Sequence, residues 1–300
     1  MTDEPQRNDG EESGQEQEAP DDRERNEGEE SGPDPAAPDD ALPEDFDIPA
    51  VEPAPEEPSP RAPPRVKKTP RRPSSIETLV YALGWIFVAL FYGSLLWVAA
   101  YRFVPPPGTV TMIERSLAGE TIRHQWADLS EISPHLVRAV IAAEDSRFCL
   151  HKGLDFAAIE EAVGEFKNGG RRRGASTISQ QTAKNAFLWN GGGWTRKTAE
   201  AWFTLVVETL WPKRRIMEVY LNVAEWGNGI FGAEAAARAR FRVSARSLSK
   251  EQAALLAAVL PNPHKWRVDP PGPFVAGRAD MLRKRMDVVA NEGLDSCARP

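Results

Sequence analysis

The sequence predicts a mostly α-helical protein in which a disordered acidic tail and one membrane-spanning helix precede a helical domain. Three observations carry this prediction. Residues 1–60 hold 22 acidic and 3 basic side chains, a net −19, whereas the other 240 residues carry +12. A run without charge, residues 78–101, follows the acidic part. Beyond it, apolar residues recur at helical spacing between Gly and Pro punctuation, and little reads as strand.

The first 60 residues are rich in Glu, Asp, Pro, Gln and Gly and almost free of aromatics. Such a composition buries too little apolar surface to offset chain entropy, so this segment is expected to be disordered. Phe46 and Ile48 are its chief large apolar residues and could form a short docking motif, although a plain solvated tail is the simpler reading. Residues 61–77 form a basic segment with Arg61, Arg65, Lys67, Lys68, Arg71 and Arg72.

Residues 78–101 (TLVYALGWIFVALFYGSLLWVAAY) exceed the roughly 20 apolar residues that cross a hydrocarbon core. Tyr81 and Trp85 at one end, and Trp97 and Tyr101 at the other, suit the two interfaces. A signal peptide fits poorly, since the run is long and far from Met1. Six cations precede the span and only Arg102 lies close after it, which places the N-terminal tail in the cytoplasm and residues 102–300 outside. Cys149 and Cys297 then meet an oxidising compartment, but two cysteines without metal-like spacing make a weak case for a disulfide, and free thiols are expected.

In the exported part, residues 109–126 have a mixed pattern that suggests a short hairpin or an irregular arm near the membrane. Ser133 and Pro134 form a helix start ahead of LVRAVIAAEDS, with Leu136, Val140 and Ala143 on one face. Asp155 can cap FAAIEEAVGEF, which Asn168, Gly169 and Gly170 close. Thr177 and Gln180 are spaced as a capping box, which places the next helix start near Ser176. A further helix opens at Thr195 and runs to Pro212, and KRRIMEVYLNVA, FGAEAAARARF, SKEQAALLAAVL and FVAGRADMLRKRMDVVA complete the series. Without an internal repeat, this is one helical domain of about 190 residues.

Three stretches carry candidate chemistry. Residues 174–185, GASTISQQTAKN, crowd hydroxyls and amides into a helix start with Ile178 as the single large apolar side chain. A helix N-terminus favours an anion, and Ser176, Gln180 and Lys184 step along one face. A capped, solvent-facing helix explains the composition equally well. In TRKTAE, Arg196 and Lys197 open a helix against its dipole, which suggests an anionic ligand, and Glu200 gives the plainer reading of an i,i+4 ion pair. In AAEDSRFCLHKGLD, an apolar helix can carry Glu144 into a partly desolvated cleft as a general base, although acids at a helix end are usually solvated.

Together these stretches resemble the biosynthetic peptidoglycan glycosyltransferases of lysozyme-like fold. The family pattern EDxxFxxHxGxD is similar to Glu144, Asp145, Phe148, His151, Gly153 and Asp155. GxSTxxQQxxKN appears as Gly174, Ser176, Thr177, Gln180, Gln181, Lys184 and Asn185, and RKxxE as Arg196, Lys197 and Glu200. KRRIMEVYLNVAEWGNGIFGAEAAARARF, which includes Asn222, looks like the fourth block. The resemblance covers about residues 110–285 and is nearest the monofunctional members. Arg240 departs from it, standing where a tyrosine is usual before Phe241. SLSK at residues 247–250 is a weak match to SxxK of penicillin-binding enzymes, without SDN or KTG after it.

The resemblance implies a two-lobed lysozyme-like domain on the periplasmic side of the inner membrane, polymerising lipid II with undecaprenyl pyrophosphate as leaving group. It implies Glu144 and Glu200 as catalytic, with Glu144 the base. Ser176, Thr177, Gln180, Lys184, Arg196 and Lys197 are then expected at the pyrophosphate, supported by Asp145, Phe148, His151, Gly153, Asn185 and Asn222. No cofactor is obligatory, though Mg2+ or Mn2+ can bridge a diphosphate. Partners would be lipid II, the growing lipid-linked glycan, the membrane and proteins of division or elongation. Arg171, Arg172 and Arg173 are weak evidence for nucleic acid, and none is expected. Rival readings are a lytic enzyme of the same fold and a non-enzymatic membrane adaptor.

Overall fold

The computed structural model describes residues 74–167 and 176–299. The acidic tail, most of the basic segment, the closure at Asn168, Gly169 and Gly170, and the Arg171, Arg172 and Arg173 triplet lie outside the described residues.

Helix α1 (Ser75–Tyr101) begins three residues before the uncharged run because Ser74 and Glu77 close a reciprocal capping box. It is long and apolar enough to cross a membrane. Its side chains Tyr81, Trp85 and Leu90 are exposed, as suits a lipid-facing helix. The last turns dock on the domain. Trp211 donates to the Val98 carbonyl (2.8 Å), Trp202 to Ser94 Oγ (3.1 Å) and Arg215 to the Tyr101 carbonyl (2.8 Å). Trp97 meets Phe187 edge-on at 5.3 Å, and Phe187 stacks on Phe203 at 4.9 Å.

The hairpin or arm expected over residues 109–126 is instead helix α2 (Val110–Leu117) followed by strand β1 (Arg123–His124). The reason is local: Thr109 caps the Met112 N–H, Met112 is buried, and Gly119 at φ +87° turns the chain out. Helix α3 (Pro134–Glu144) starts at the predicted Ser133 and Pro134 and is buried almost all round, so it is a central core helix rather than an amphipathic surface one. Then come α4 (Phe156–Lys167), α5 (Ile178–Phe187), α6 (Gly193–Leu210) and α7 (Lys213–Val223). Strands β2 (Glu225–Gly227) and β3 (Ile230–Phe231) lead into α8 (Ala233–Phe241), α9 (Lys250–Val259) and α10 (Pro273–Asn291). The strands form one small sheet, ordered β1-β3-β2, parallel between β1 and β3 and antiparallel between β3 and β2.

Helix α3 packs on α9 and α10, while α5 packs on α6 and α7. One core runs through both groups, with Leu136, Ile141, Ile216, Tyr220 and Trp226 fully buried. Cys149 and Cys297 are not free thiols but a disulfide, with Cα atoms 5.6 Å apart across 148 residues. Helix α10 carries the C-terminus back to α3, where Arg138 binds Asp295 at 2.8 Å, and so brings Cys297 to the loop after Glu144. That proximity is tertiary and has no signature in the spacing.

Candidate active site

Two local devices place Glu144. Helix α3 ends at Glu144, and the next residue, Asp145, leaves helical geometry and turns its carboxylate to the start of α5. There Asp145 Oδ2 accepts the Ile178 N–H at 3.0 Å, a charge-assisted cap on a helix N-terminus. His151 Nε2 holds the same carboxylate at 3.0 Å. Thr177 and Gln180 form the predicted capping box, and Thr177 Oγ1 also donates to the Gly153 carbonyl at 2.5 Å. Gly153 adopts φ +83°, and a Cβ there would press on Thr204 at 3.1 Å. Asp155 accepts the Ala158 N–H at 3.0 Å, as the sequence predicts. Phe148 is fully buried, under the Lys213 ammonium at 4.4 Å from its ring.

Glu144 lines a groove of about 740 Å³ with Asp145, Ser176, Gln181, Arg278 and Arg285. Its carboxylate accepts from Gln181 Nε2 at 2.8 Å. Burial pushes the Glu144 carboxyl above the usual glutamate range, opposed by the Gln181 hydrogen bond and the charges of Arg278 and Lys184. Lys184 is displaced the other way. Burial lowers it, helped by the positive charges of Arg196 and Lys197 and opposed by Glu200 and Glu144. The charges that bear on Lys184 thus come from both the groove carboxylate and the cluster at the start of α6. In that cluster Glu200 is buried, Arg196 Nη1 reaches it at 2.6 Å and Lys197 Nζ pairs with its other oxygen.

Each expected residue has a definite place. Glu144 and Ser176 open on the groove, Arg196 and Lys197 pair with Glu200, and the charges of Glu200, Arg196, Lys197 and Glu144 all bear on Lys184. Thr177 and Gln180 are buried, and their side chains serve the cap of α5, so the face stepping through 176, 180 and 184 does not point as one at a ligand. The helix begins after Ser176, and Gln180 folds back to the Thr177 N–H. Asn185 is half-buried on α5. Asn222 is fully buried and clasps Ala127, accepting from its N–H at 2.9 Å and donating to its carbonyl at 2.8 Å. Sequence reasoning missed Gln181 and Arg278 as neighbours of Glu144. The doubled glutamine was the available signal, because Gln181 and Lys184 stand three apart on one helix face.

Among the described residues, the Glu200, Asp145 and Asp155 carboxylates that could meet Mg2+ or Mn2+ already have protein partners. Both Glu200 oxygens are committed to cations. Asp145, His151 and Asp155 bring ligand atoms within 4.8 Å of one another, but Asp145 already serves His151 and Ile178, and Asp155 serves Ala158 and Arg147.

Comparison with known proteins supplies the family. Residues 111–292 match the family model described as Transglycosylase. The chain is 51% identical over 229 residues, 76% of its length and 96% of that protein, to the biosynthetic peptidoglycan transglycosylase of Rhodospirillum centenum. It is 50% identical to the protein of the same name from Caulobacter vibrioides, over 71% of this chain and 93% of that one. Against the Pseudomonas aeruginosa protein of that name the identity is 52%, over 68% and 89%. With a matched model across most of the helical domain and relatives covered nearly end to end, the chain belongs to the transglycosylase family.

Proposed function

We propose that this membrane-associated transglycosylase synthesises peptidoglycan by polymerising lipid II, as the names of its relatives and the matched family support. The observation that carries the mechanism is the half-buried Glu144 carboxylate, held by Gln181 and coupled electrostatically to Lys184 and so to the cluster of Arg196, Lys197 and Glu200. In the proposed step the 4-hydroxyl of the acceptor sugar attacks C1 of the growing glycan with inversion. Its proton passes to Glu144, the new O–C1 bond forms, and the C1–O bond to undecaprenyl pyrophosphate breaks with its electron pair leaving on the diphosphate. Lys184, Arg196 and Lys197 take up that charge, with Ser176 at the groove edge, while Glu200 orients the two cations it binds. Thr177 and Gln180 act through the helix they cap.

A carrier lipid keeps such a substrate in the bilayer, so helix α1 gives the enzyme a surface to work on. Residues 102–300 carry 28 basic and 21 acidic side chains, a net +7 suited to anionic lipid and substrate. The positive-inside bias supports a cytoplasmic tail and a periplasmic domain at the inner membrane, where division or elongation proteins are candidate partners. A lytic enzyme would not need three cations gathered for a departing diphosphate.

Purified protein incubated with labelled lipid II and resolved on gels tests the reading. Glu144→Gln is expected to lower polymerisation by about 10²- to 10⁴-fold, the usual contribution of a general base. Undiminished polymer from that variant, or breakdown of finished strands by the wild type, would refute it.

A further inference from the structure

The groove that holds Glu144 has two walls from distant parts of the chain. One is the end of α3 and the loop after it, through Ala143, Asp145 and Ser146, and the other is α10 and its exit, through Arg278, Arg285 and Leu294. Cys149 lies just past Ser146 and Cys297 just past Leu294, so the disulfide staples one wall to the other. The exit is shaped for this meeting. Gly293, at φ +67°, turns the chain back after α10. Asp295 is then buried, where it accepts from Arg138 of α3 at 2.8 Å and from Arg299 at 2.9 Å, and the Cys297 N–H meets Cys149 Sγ at 3.3 Å.

The loop of residues 145–155 is fastened on its other side to α5. Asp145 caps Ile178, Thr177 reaches the Gly153 carbonyl, and Phe148 is sunk in the core. Among the described residues, no hydrogen bond or ion pair besides the Cys297 N–H on Sγ joins this loop to residues 292–299. Opening the bridge therefore leaves the loop tied to α5 and lets it separate from Leu294. A reacting group displaced by about 1 Å can lose about 100-fold in rate, so the setting of Glu144 against the far wall matters. Both cysteines are half-buried, with Leu150 and Ser296 exposed beside them, and an exchange partner can reach the sulfurs. Position 149 is a free position of the EDxxFxxHxGxD pattern, so the shared motif does not call for this staple.

We infer that the Cys149–Cys297 disulfide is a positioning element for polymerisation and makes the enzyme redox-gated, active when the bridge is closed and slowed when it is open. The inference rests on the reaction proposed above. Closure takes the disulfide of a thiol-exchange partner: one cysteine thiolate attacks it to give a mixed disulfide, and the second thiolate then displaces the partner's sulfur. Two protein thiols are oxidised, the partner's disulfide is reduced to two thiols, and the two protons pass to it.

Full-length protein in detergent, oxidised or reduced with dithiothreitol, is assayed with labelled lipid II at a temperature where circular dichroism shows both forms folded. Reduction should lower kcat about tenfold or more and change KM less than about twofold, and oxidised glutathione should restore the rate. Cys149→Ser with Cys297→Ser should stay at the reduced level with or without dithiothreitol. Ser249→Ala removes the cap of α9 and so weakens the fold away from the groove, yet it should keep the wild-type kcat. Hydrogen exchange reads the same step without activity: reduction should speed it about tenfold in residues 145–155 and 292–299 and leave α6 unchanged. Equal kcat for the two forms, an equal loss in Ser249→Ala, or unaltered exchange overturns the inference. Absence of polymer from the oxidised wild type would instead defeat the reaction proposed above, and the exchange rates would still decide for or against the staple.

Discussion

Burial displaces Glu144 and Lys184 in opposite directions, each toward its neutral form, and the proposed chemistry needs both charged. Glu144 must be ionised to take a proton. Its raised pKa means that acidification removes activity at a higher pH than an ordinary glutamate would. Lys184 must be protonated to meet a diphosphate, and its lowered pKa means that activity falls on the alkaline side below the ordinary lysine range. A profile of kcat/KM against pH for lipid II polymerisation should therefore be a bell narrowed from both sides. Lys184→Arg should move the alkaline limb upward and leave the acid limb in place, because a guanidinium does not titrate there. An alkaline limb unchanged by that substitution would remove Lys184 from the charged role. Glu144 and Lys184 were both legible in the sequence from residue type within a spaced pattern. Gln181 stood in the pattern without a role and Arg278 stood in none, since their importance comes from touching or facing Glu144 across different helices.

At the scale of an element, helix α5 joins the two halves of the site, and its first turn is where they meet. Thr177 caps the Gln180 N–H at 3.2 Å and reaches the Gly153 carbonyl, while Asp145 caps Ile178 beside Glu144. Thr177→Ala should cost about 1–2 kcal/mol, the range for loss of a side-chain cap, seen as a lower denaturant midpoint. Polymerisation should fall with it at temperatures where the wild type is fully folded, because Gln181 and Lys184 ride on the same helix. The capping box was readable because it is local, with both partners within four residues. Helix α6 teaches the converse. Arg196 and Lys197 oppose its dipole, and Glu200 binds both from one turn further on, so part of the apparent clash is resolved inside the protein.

Across the described molecule, the C-terminal helix α10 supplies a wall of the groove through Arg278 and Arg285, and the chain just beyond it is covalently joined to the loop after Glu144 by the Cys149–Cys297 disulfide. A cross-link closing so long a stretch restricts the unfolded chain most. Reduction with dithiothreitol, or Cys297→Ser, should therefore lower stability by about 2–4 kcal/mol, measured as a shift in the urea midpoint in detergent. A midpoint unaffected by reduction would deny the bridge a structural part.

The helical class, the length of the apolar span, most helix starts and the identity of the charged residues were all legible before folding, because each rests on periodicity, caps or composition within a few neighbours. Packing between distant elements settles the rest: that Arg123 and His124 pair with β3, that two distant cysteines meet, and that Gln181 and Arg278 face Glu144. Those outcomes depend on how α3, α5 and α10 pack. Side-chain direction and long-range proximity arise from that packing, and local spacing carries no record of either.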